Sequence, residues 1–303
     1  MASSQEVVAA VVVYQPDVRL LERALAAIAP QADRILVIVN DDGAWSCAMP
    51  ANVTVERPGA NIGLGAAYNL AARRAREWGA TRLLLLDQDS IAAPDMVEKL
   101  AWALSADARA AAVGPLWYDS RTGRDGAFVR LSGCRTRHVQ LRGPLETHAP
   151  VAVDFLISSG SLISLDALED IEAFDEYFFI DHVDTDWSLR ASAAHYRLYG
   201  VPSARLAHHL GDCVPATFLG RRAFLHAPMR QYYLLRNSIL LWRRPYAPWG
   251  WVLYDFGRTG LLMIYYLLFQ SPRFARLMWM MRGVRDGLRG NGAASGPHIA
   301  RTQ

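Results

Sequence analysis

The 303 residues carry 52% hydrophobic and 20% charged side chains, the balance of a chain that buries a sizeable core rather than one that stays disordered. The net charge of +3 is unevenly spread: from Arg221 onward thirteen arginines face two acids, Asp255 and Asp286, so the first 220 residues are net acidic and the basic character belongs to the tail. Three widely spaced cysteines, Cys47, Cys134 and Cys213, supply neither a disulfide framework nor a zinc knuckle and fit a reducing compartment.

Glu6 stands before the first apolar run, and polar residues follow it at once, which argues against a cleaved signal peptide and for a first strand over 7–14. Helices are expected over 18–28, 66–78 and 95–104, alternating with strands over 35–39 and 83–86, the pattern of an α/β fold with a largely parallel sheet. Ligands of such sheets bind beyond the carboxyl ends of the strands. Here each strand ends in polar residues: Gln15-Pro16-Asp17, Asn40-Asp41-Asp42 and Asp87-Gln88-Asp89. Residues 115–150 have weak periodicity and are expected to form a loop or small hairpin excursion. A second motif-bearing block, 153–211, passes through an acidic turn and ends at His208-His209-Leu210-Gly211.

The division expected is a catalytic domain over 1–240 and a helical extension over 241–303. The longest uncharged stretch of that extension, 259–271, is shorter than the roughly 20 residues of a spanning helix. With Trp242, Trp249, Trp251, Tyr265, Tyr266 and Trp279 among many arginines, an amphipathic helix lying in the plane of an anionic lipid surface is the expectation. A helical pair packed on the catalytic domain, or on a second copy in a homodimer, is the alternative.

The sharpest chemical signal is the leucine run 83–86 closing on Asp87 and Asp89. Two carboxylates at the end of a core strand suit Mg²⁺ or Mn²⁺, which bridges a diphosphate and neutralises the charge of a departing nucleotide. Asp-x-Asp also occurs in solvated turns, but such turns rarely sit directly on four leucines. Between 58 and 69 a Gly-rich loop with Asn61 and Gly63 runs into a helix bearing Asn69. Its glycines permit close backbone approach and its helix start offers N–H groups to a ligand, unless it is only a tight turn and cap. Asp181, Asp184 and Asp186 precede an Ala-rich helix, where a carboxylate serves as a cap, as a base for an attacking hydroxyl, or as both. His208 or His209 is a candidate nitrogen ligand for the same metal against the commoner core or surface histidine, and Arg236 a candidate grip on a diphosphate against an ordinary surface arginine.

In this order the motifs resemble the family 2 glycosyltransferases, and within them a bacterial rhamnosyltransferase-like branch. The likeness rests on residues 12–17, Asn61-Ile62-Gly63 with Asn69, Leu86-Asp87-Gln88-Asp89-Ser90, Ser158-Ser159-Gly160-Ser161, the segment from Phe178-Phe179-Ile180-Asp181 to Arg190, and His208 to Gly211; it covers roughly 7–240. The resemblance implies a GT-A fold, Rossmann-like with helices flanking a mostly parallel sheet. It further implies inverting transfer from a nucleotide sugar, plausibly dTDP-L-rhamnose, to a lipid-linked or saccharide acceptor in cell-surface polysaccharide synthesis, by a peripheral protein at the cytoplasmic face of the bacterial inner membrane. Tyr14, Asp17, Asn40, Asp41 and Asn61 would surround the nucleotide, Asp87 would lie near ribose and diphosphate, and Asp89 would hold the metal. The base position matches Asp184, although Val183 stands where the family pattern has a first acid.

Other classes fare less well. A nucleotidyl- or phosphotransferase should carry a Gly-Lys-Ser/Thr loop or a basic activating motif, yet Lys99 is the only lysine, and no G-x-G-x-x-G follows the first strand. A non-catalytic membrane scaffold has no need of Asp87, Asp89 and Asp184 together. Nucleic-acid binding fits poorly with tail aromatics set in apolar runs.

Overall fold

The computed structural model describes residues 6–43, 45–208, 216–218, 221–223 and 227–290. Its centre is β1 (Val7–Val13), buried along its whole length, with β2 (Arg34–Val39), β3 (Val53–Glu56) and β4 (Arg82–Asp87) parallel around it. An apolar run of this kind needs cover on both faces, and it has it. Val8, Ala10 and Val12 pack under α2 (Leu64–Glu77), and Val7, Ala9, Val11 and Val13 under α1 (Val18–Ile28) and α3 (Met96–Ser105). The helix α1 starts where Asp17 accepts from the N–H groups of Arg19 and Leu20.

Beyond β4 the sheet continues in mixed sense. A short β5 (Ser90–Ala92), β6 (Ala110–Asp119), β10 (Leu162–Ser164) and β11 (Arg197–His208) complete the order β3-β2-β1-β4-β10-β6-β11-β5. The nine strands include β9 (Val151–Val153), which pairs with β11. The antiparallel pairing of β5 with β11 sets Ser90 opposite His208, and so brings the two far-separated motif ends together. On the face bearing α2 lie α4 (Leu165–Asp170) and α5 (Val183–Ala193).

The excursion expected over 115–150 is a hairpin, β7 (Val129–Ser132) with β8 (Arg135–His138), but β6 first runs on to Asp119 because its residues pair with β11 throughout. The edge strand β3, half exposed and without clear alternation, had no matching expectation. A second hairpin joins β12 (Ala216–Phe218) to β13 (Arg221–Ala223).

Three helices close the described residues: α6 (Pro228–Trp242), α7 (Trp249–Phe269) and α8 (Arg273–Arg289). A boundary after residue 240 cuts α6 two residues before its end, so the turn between α6 and α7 is the natural division. The helices α6 and α8 lie backbone to backbone: a Cβ added at Gly283 would come 2.6 Å from the Tyr232 carbonyl oxygen, and one at Gly287 3.0 Å from that of Arg236. By length and composition α7 could cross a membrane. One face of it is nonetheless committed to the protein: Trp251, Asp255, Thr259, Met263 and Tyr266 are buried, and Asp255 accepts from the Trp242 indole N–H at 2.9 Å.

Candidate active site

Asp87, Asp89 and His208 offer ligand atoms that all lie within 4.8 Å of one another. The turn that carries the two carboxylates is held from three sides. Gln88 both accepts from the Tyr14 N–H at 2.8 Å and donates to the Tyr14 carbonyl at 3.1 Å, fastening the turn to the end of β1. Ser159 accepts from the Asp87 N–H at 3.1 Å and shares a hydrogen bond of 2.7 Å with Ser90. Ser90 in turn meets Nδ1 of His208 at 2.8 Å. Burial, reinforced by the carboxylates of Asp89 and Asp184 and opposed by His208 and Arg230, pushes Asp87 up to about 6. Crowded acid of this kind is relieved by a cation. Two hard oxygen donors and an imidazole at a strand end fit Mg²⁺ or Mn²⁺ bound with the help of substrate phosphate.

Asp184, whose charge is felt at Asp87, opens α5. Its Oδ1 accepts from the Thr185 N–H at 2.8 Å and its Oδ2 from the Ser158 N–H at 3.3 Å, while burial holds its carboxyl above the ordinary range. Ser158 and Ser159 are thus adjacent residues that touch the two halves of the site. The neighbouring acids are otherwise engaged. Asp186 is fully buried between Arg190, at 2.9 Å, and the Tyr246 hydroxyl, and Asp181 is paired with Arg230 at 2.9 Å. Of the three, Asp184 alone has no cationic partner at salt-bridge distance among the described residues.

The nucleotide-side residues sort into two groups. Tyr14 is exposed at the lip, Asp41 ties the Gln15 N–H (2.6 Å) to the Gly43 N–H (2.8 Å), and Asn40 accepts from the Ile62 N–H at 2.8 Å, so the loops after β1 and β2 form one rim. Asn61 accepts from the Gly63 N–H at 3.0 Å and shapes the start of α2. Four expectations need correction. Asp17 caps α1 through Oδ1. Asn69 is buried, donating to the Phe174 carbonyl and to Glu176 and accepting from the Phe174 N–H. Gly63, at φ 82°, leaves room for protein rather than phosphate: a Cβ there would stand 2.6 Å from the Phe179 ring, and the Phe179 carbonyl takes the Leu64 N–H at the helix start. Arg236 is buried among the rings of Tyr177, Tyr232 and Tyr233, and donates to the carbonyls of Tyr177 and Phe178. It braces the acidic turn from behind. His209, Leu210 and Gly211 lie outside the described residues.

Gln88, Ser90 and Arg230 were missed by the motif reading. Gln88 and Ser90 lie inside a motif where only the acids are diagnostic, and Arg230 is one arginine in a basic tail. The model of the family described as Glycosyl transferase family 2 matches residues 9–171. The chain belongs to that family. It is 26% identical over 300 residues to the dTDP-rhamnosyl transferase RfbF of Shigella flexneri, covering 95% of this chain and 97% of that protein. Among solved structures, GalNAc-T7 with UDP, GalNAc and Mn²⁺ superposes with a TM-score of 0.56 at 14% identity, over 90% of this chain and 59% of that one. Residues 1–349 of S. aureus TarS give 0.56 at 11% identity over 93% and 80%, and the mannosyltransferase PcManGT of Pyrobaculum calidifontis, with GDP-Man and Mn²⁺, gives 0.53 at 14% identity over 95% and 77%. These likenesses establish the GT-A fold of this glycosyltransferase.

Proposed function

We propose that the enzyme transfers L-rhamnose from dTDP-L-rhamnose, with inversion, to a saccharide or lipid-linked acceptor in the building of a cell-surface polysaccharide. The observation that carries the chemistry is the Asp87, Asp89, His208 cluster with Asp184 near enough to act on the charge of Asp87, the adjacent Ser159 and Ser158 bonding to one each. The donor identity rests on the extended similarity to a dTDP-rhamnosyl transferase. Asp87, Asp89 and His208 are the residues that would hold Mg²⁺ or Mn²⁺, whose charge supplies electrostatic stabilisation of the leaving diphosphate. Asp184 accepts the proton of the acceptor hydroxyl as that oxygen forms its bond to C1 of the sugar. The bond from C1 to the diphosphate oxygen breaks on the opposite side, and dTDP leaves with the electron pair. Raised basicity from burial suits Asp184 to this task, and the Ser158 and Thr185 N–H groups keep it aimed.

The same proposal sets the protein on the cytoplasmic face of the bacterial inner membrane. Trp249, Leu253, Phe256, Leu261, Ile264 and Leu268 are exposed along α7. The hairpin β7–β8 beside the start of that helix, with the loop that follows it, carries Arg130, Arg135, Arg137 and Arg142 and no acid between 130 and 143. An apolar face edged by arginine matches anionic lipid. The transfer proposal is tested by a panel of nucleotide diphosphate sugars with and without Mn²⁺ or Mg²⁺, scored by nucleotide release. dTDP-L-rhamnose with metal should be turned over fastest; preference for a UDP or GDP sugar would overturn the donor assignment.

A further inference from the structure

We propose that Ser90, braced by Ser159, is a positioning residue for the metal centre: its hydroxyl fixes the plane and the tautomer of the His208 ring, so that an imidazole nitrogen serves the cation held with Asp87 and Asp89. This rests on the donor-site reading above and adds to it the device that orients the nitrogen ligand.

The backbone brings the two residues together. In the antiparallel pairing of β5 with β11, Ser90 is the partner of His208, and on its other edge β11 pairs His208 with Asp119 of β6. The Ser120 N–H donates to the His208 carbonyl at 3.1 Å, which secures the end of the strand. Directly opposed residues of a strand pair have Cβ atoms about 4.5–5.5 Å apart, within reach of a hydroxyl and a ring. Here Oγ of Ser90 stands 2.8 Å from Nδ1 of His208, and Ser90 is 1% exposed, so water does not compete for the contact. The nearest acid does not replace it, since Nδ1 lies 3.7 Å from Oδ1 of Asp89, beyond a hydrogen bond. A second surface limits the ring: Trp117 meets it edge-on, with centroids 6.4 Å apart at 73°, and the Gly126 backbone lies so close to the Trp117 indole that no side chain fits between them.

The direction of the hydrogen bonds decides which ring nitrogen is left. Ser159, itself buried, has its Oγ 2.7 Å from that of Ser90 and accepts from the Asp87 N–H at 3.1 Å. With Ser90 donating to Ser159, the Ser90 oxygen is open to Nδ1–H of a neutral ring, and Ser159 spends its two lone pairs on Ser90 and Asp87. That polarity leaves the imidazole lone pair on Nε2, the form in which histidine ligates a metal. Hydrogen bonds at the second ring nitrogen commonly fix histidine ligands, and losing one lowers metal affinity by about 10–100-fold. The same two serines reach the N–H of Asp87, so one buried chain ties the nitrogen donor to the turn that carries the oxygen donors.

Electron spin-echo spectroscopy of Mn²⁺ with dTDP on the full-length protein and its Ser90→Ala, Ser90→Thr, His208→Gln and Asp89→Ala variants reads the ligand directly, because a bound imidazole nitrogen modulates the manganese echo. Calorimetric titration of dTDP in Mn²⁺ and in Mg²⁺, with thermal midpoints, accompanies it. Wild type should show the nitrogen coupling and His208→Gln should lack it. Ser90→Ala should lose or weaken the coupling and bind dTDP about tenfold more weakly in Mn²⁺, but less than about threefold more weakly in Mg²⁺, which keeps its waters and gains less from an imidazole. Ser90→Thr, which retains the hydroxyl, should restore both. A folded Ser90→Ala with coupling equal to wild type overturns the proposal. So does a wild type that binds dTDP with Mn²⁺ yet shows no nitrogen coupling, or an equal loss of affinity with the two ions, which would make Ser90 a packing residue. Failure of the wild type to bind dTDP with Mn²⁺, or undiminished binding to Asp89→Ala, would instead overturn the donor-site reading itself.

Discussion

Asp184, the base of the proposed reaction, would work under two opposed demands, since the burial that raises its basicity also makes its charge costly to keep in the fold. Its carboxyl is held above the ordinary range by burial, so ionisation costs folding stability that is absent below the unfolded value of about 3.9 and accrues as pH rises through the folded value. Asp184→Asn should therefore melt at a higher temperature than wild type at pH 7.5, the gap closing toward pH 4, while transfer falls by about 10²–10⁴-fold and donor binding is retained. Calorimetric scans across pH with rate assays check both; an active Asn variant would place the base elsewhere. The acid limb of kcat/KM for the wild type should lie above the ordinary aspartate range for the same reason. Arg236 poses the opposite case. Arg236→Met strips donors from the carbonyls of Tyr177 and Phe178 inside the protein, and should cost about 3 kcal/mol, roughly 6–12 °C in thermal midpoint. The folded fraction should still bind donor, and a stable variant that has lost donor binding would restore the phosphate role set aside above.

Among the elements, α6 has the largest consequence for the site, because one helix supplies Arg230, Arg236, Asn237 and Ser238 to the acidic turn. The start of α2 locks the same turn from the other side. Gly63→Ala puts a methyl group 2.6 Å from the Phe179 ring at φ 82°, and should destabilise by about 1–3 kcal/mol with a matching loss of transfer rate, measured by chemical denaturation and single-turnover assay. The central strands and α1 to α3 were legible in the sequence because apolar periodicity and buried runs are local signals: the helix over 18–28 coincides with α1, and the strand over 83–86 is β4 short of one residue at each end. The acidic pair was legible for the same reason, since Asp87 and Asp89 stand at the end of a buried strand, and with His208 they form a group that could hold a metal ion. What the sequence hid was pairing at a distance. Nothing local says that Arg236 folds inward onto carbonyls 58 and 59 residues away while Arg230 pairs with Asp181, nor that Asn69 reaches Phe174.

At the scale of the whole molecule, the C-terminal helices are packed into the enzyme as well as presented outward. Deleting them would strip α8 from α6, so point changes on the outer face are the better probe of the membrane proposal. Phe256→Ser and Phe274→Ser, at 62% and 75% exposure, should leave stability within about 0.5 kcal/mol and reduce sedimentation with anionic vesicles. Arg135→Glu with Arg137→Glu should do so for anionic but not zwitterionic vesicles; unchanged sedimentation in both sets, with a dimer in ultracentrifugation, would assign that face to a second copy instead. The central claim is that one cleft seats a divalent cation and its diphosphate opposite Asp184. A crystal structure with dTDP and Mn²⁺, read by anomalous scattering, tests it most directly. The account predicts a manganese peak about 2.1–2.3 Å from ligand atoms of Asp89 and of Asp87 or His208, touching the diphosphate, with Asp184 facing the open side. Nucleotide bound with no metal peak at these residues, or a peak at another cluster, would contradict it.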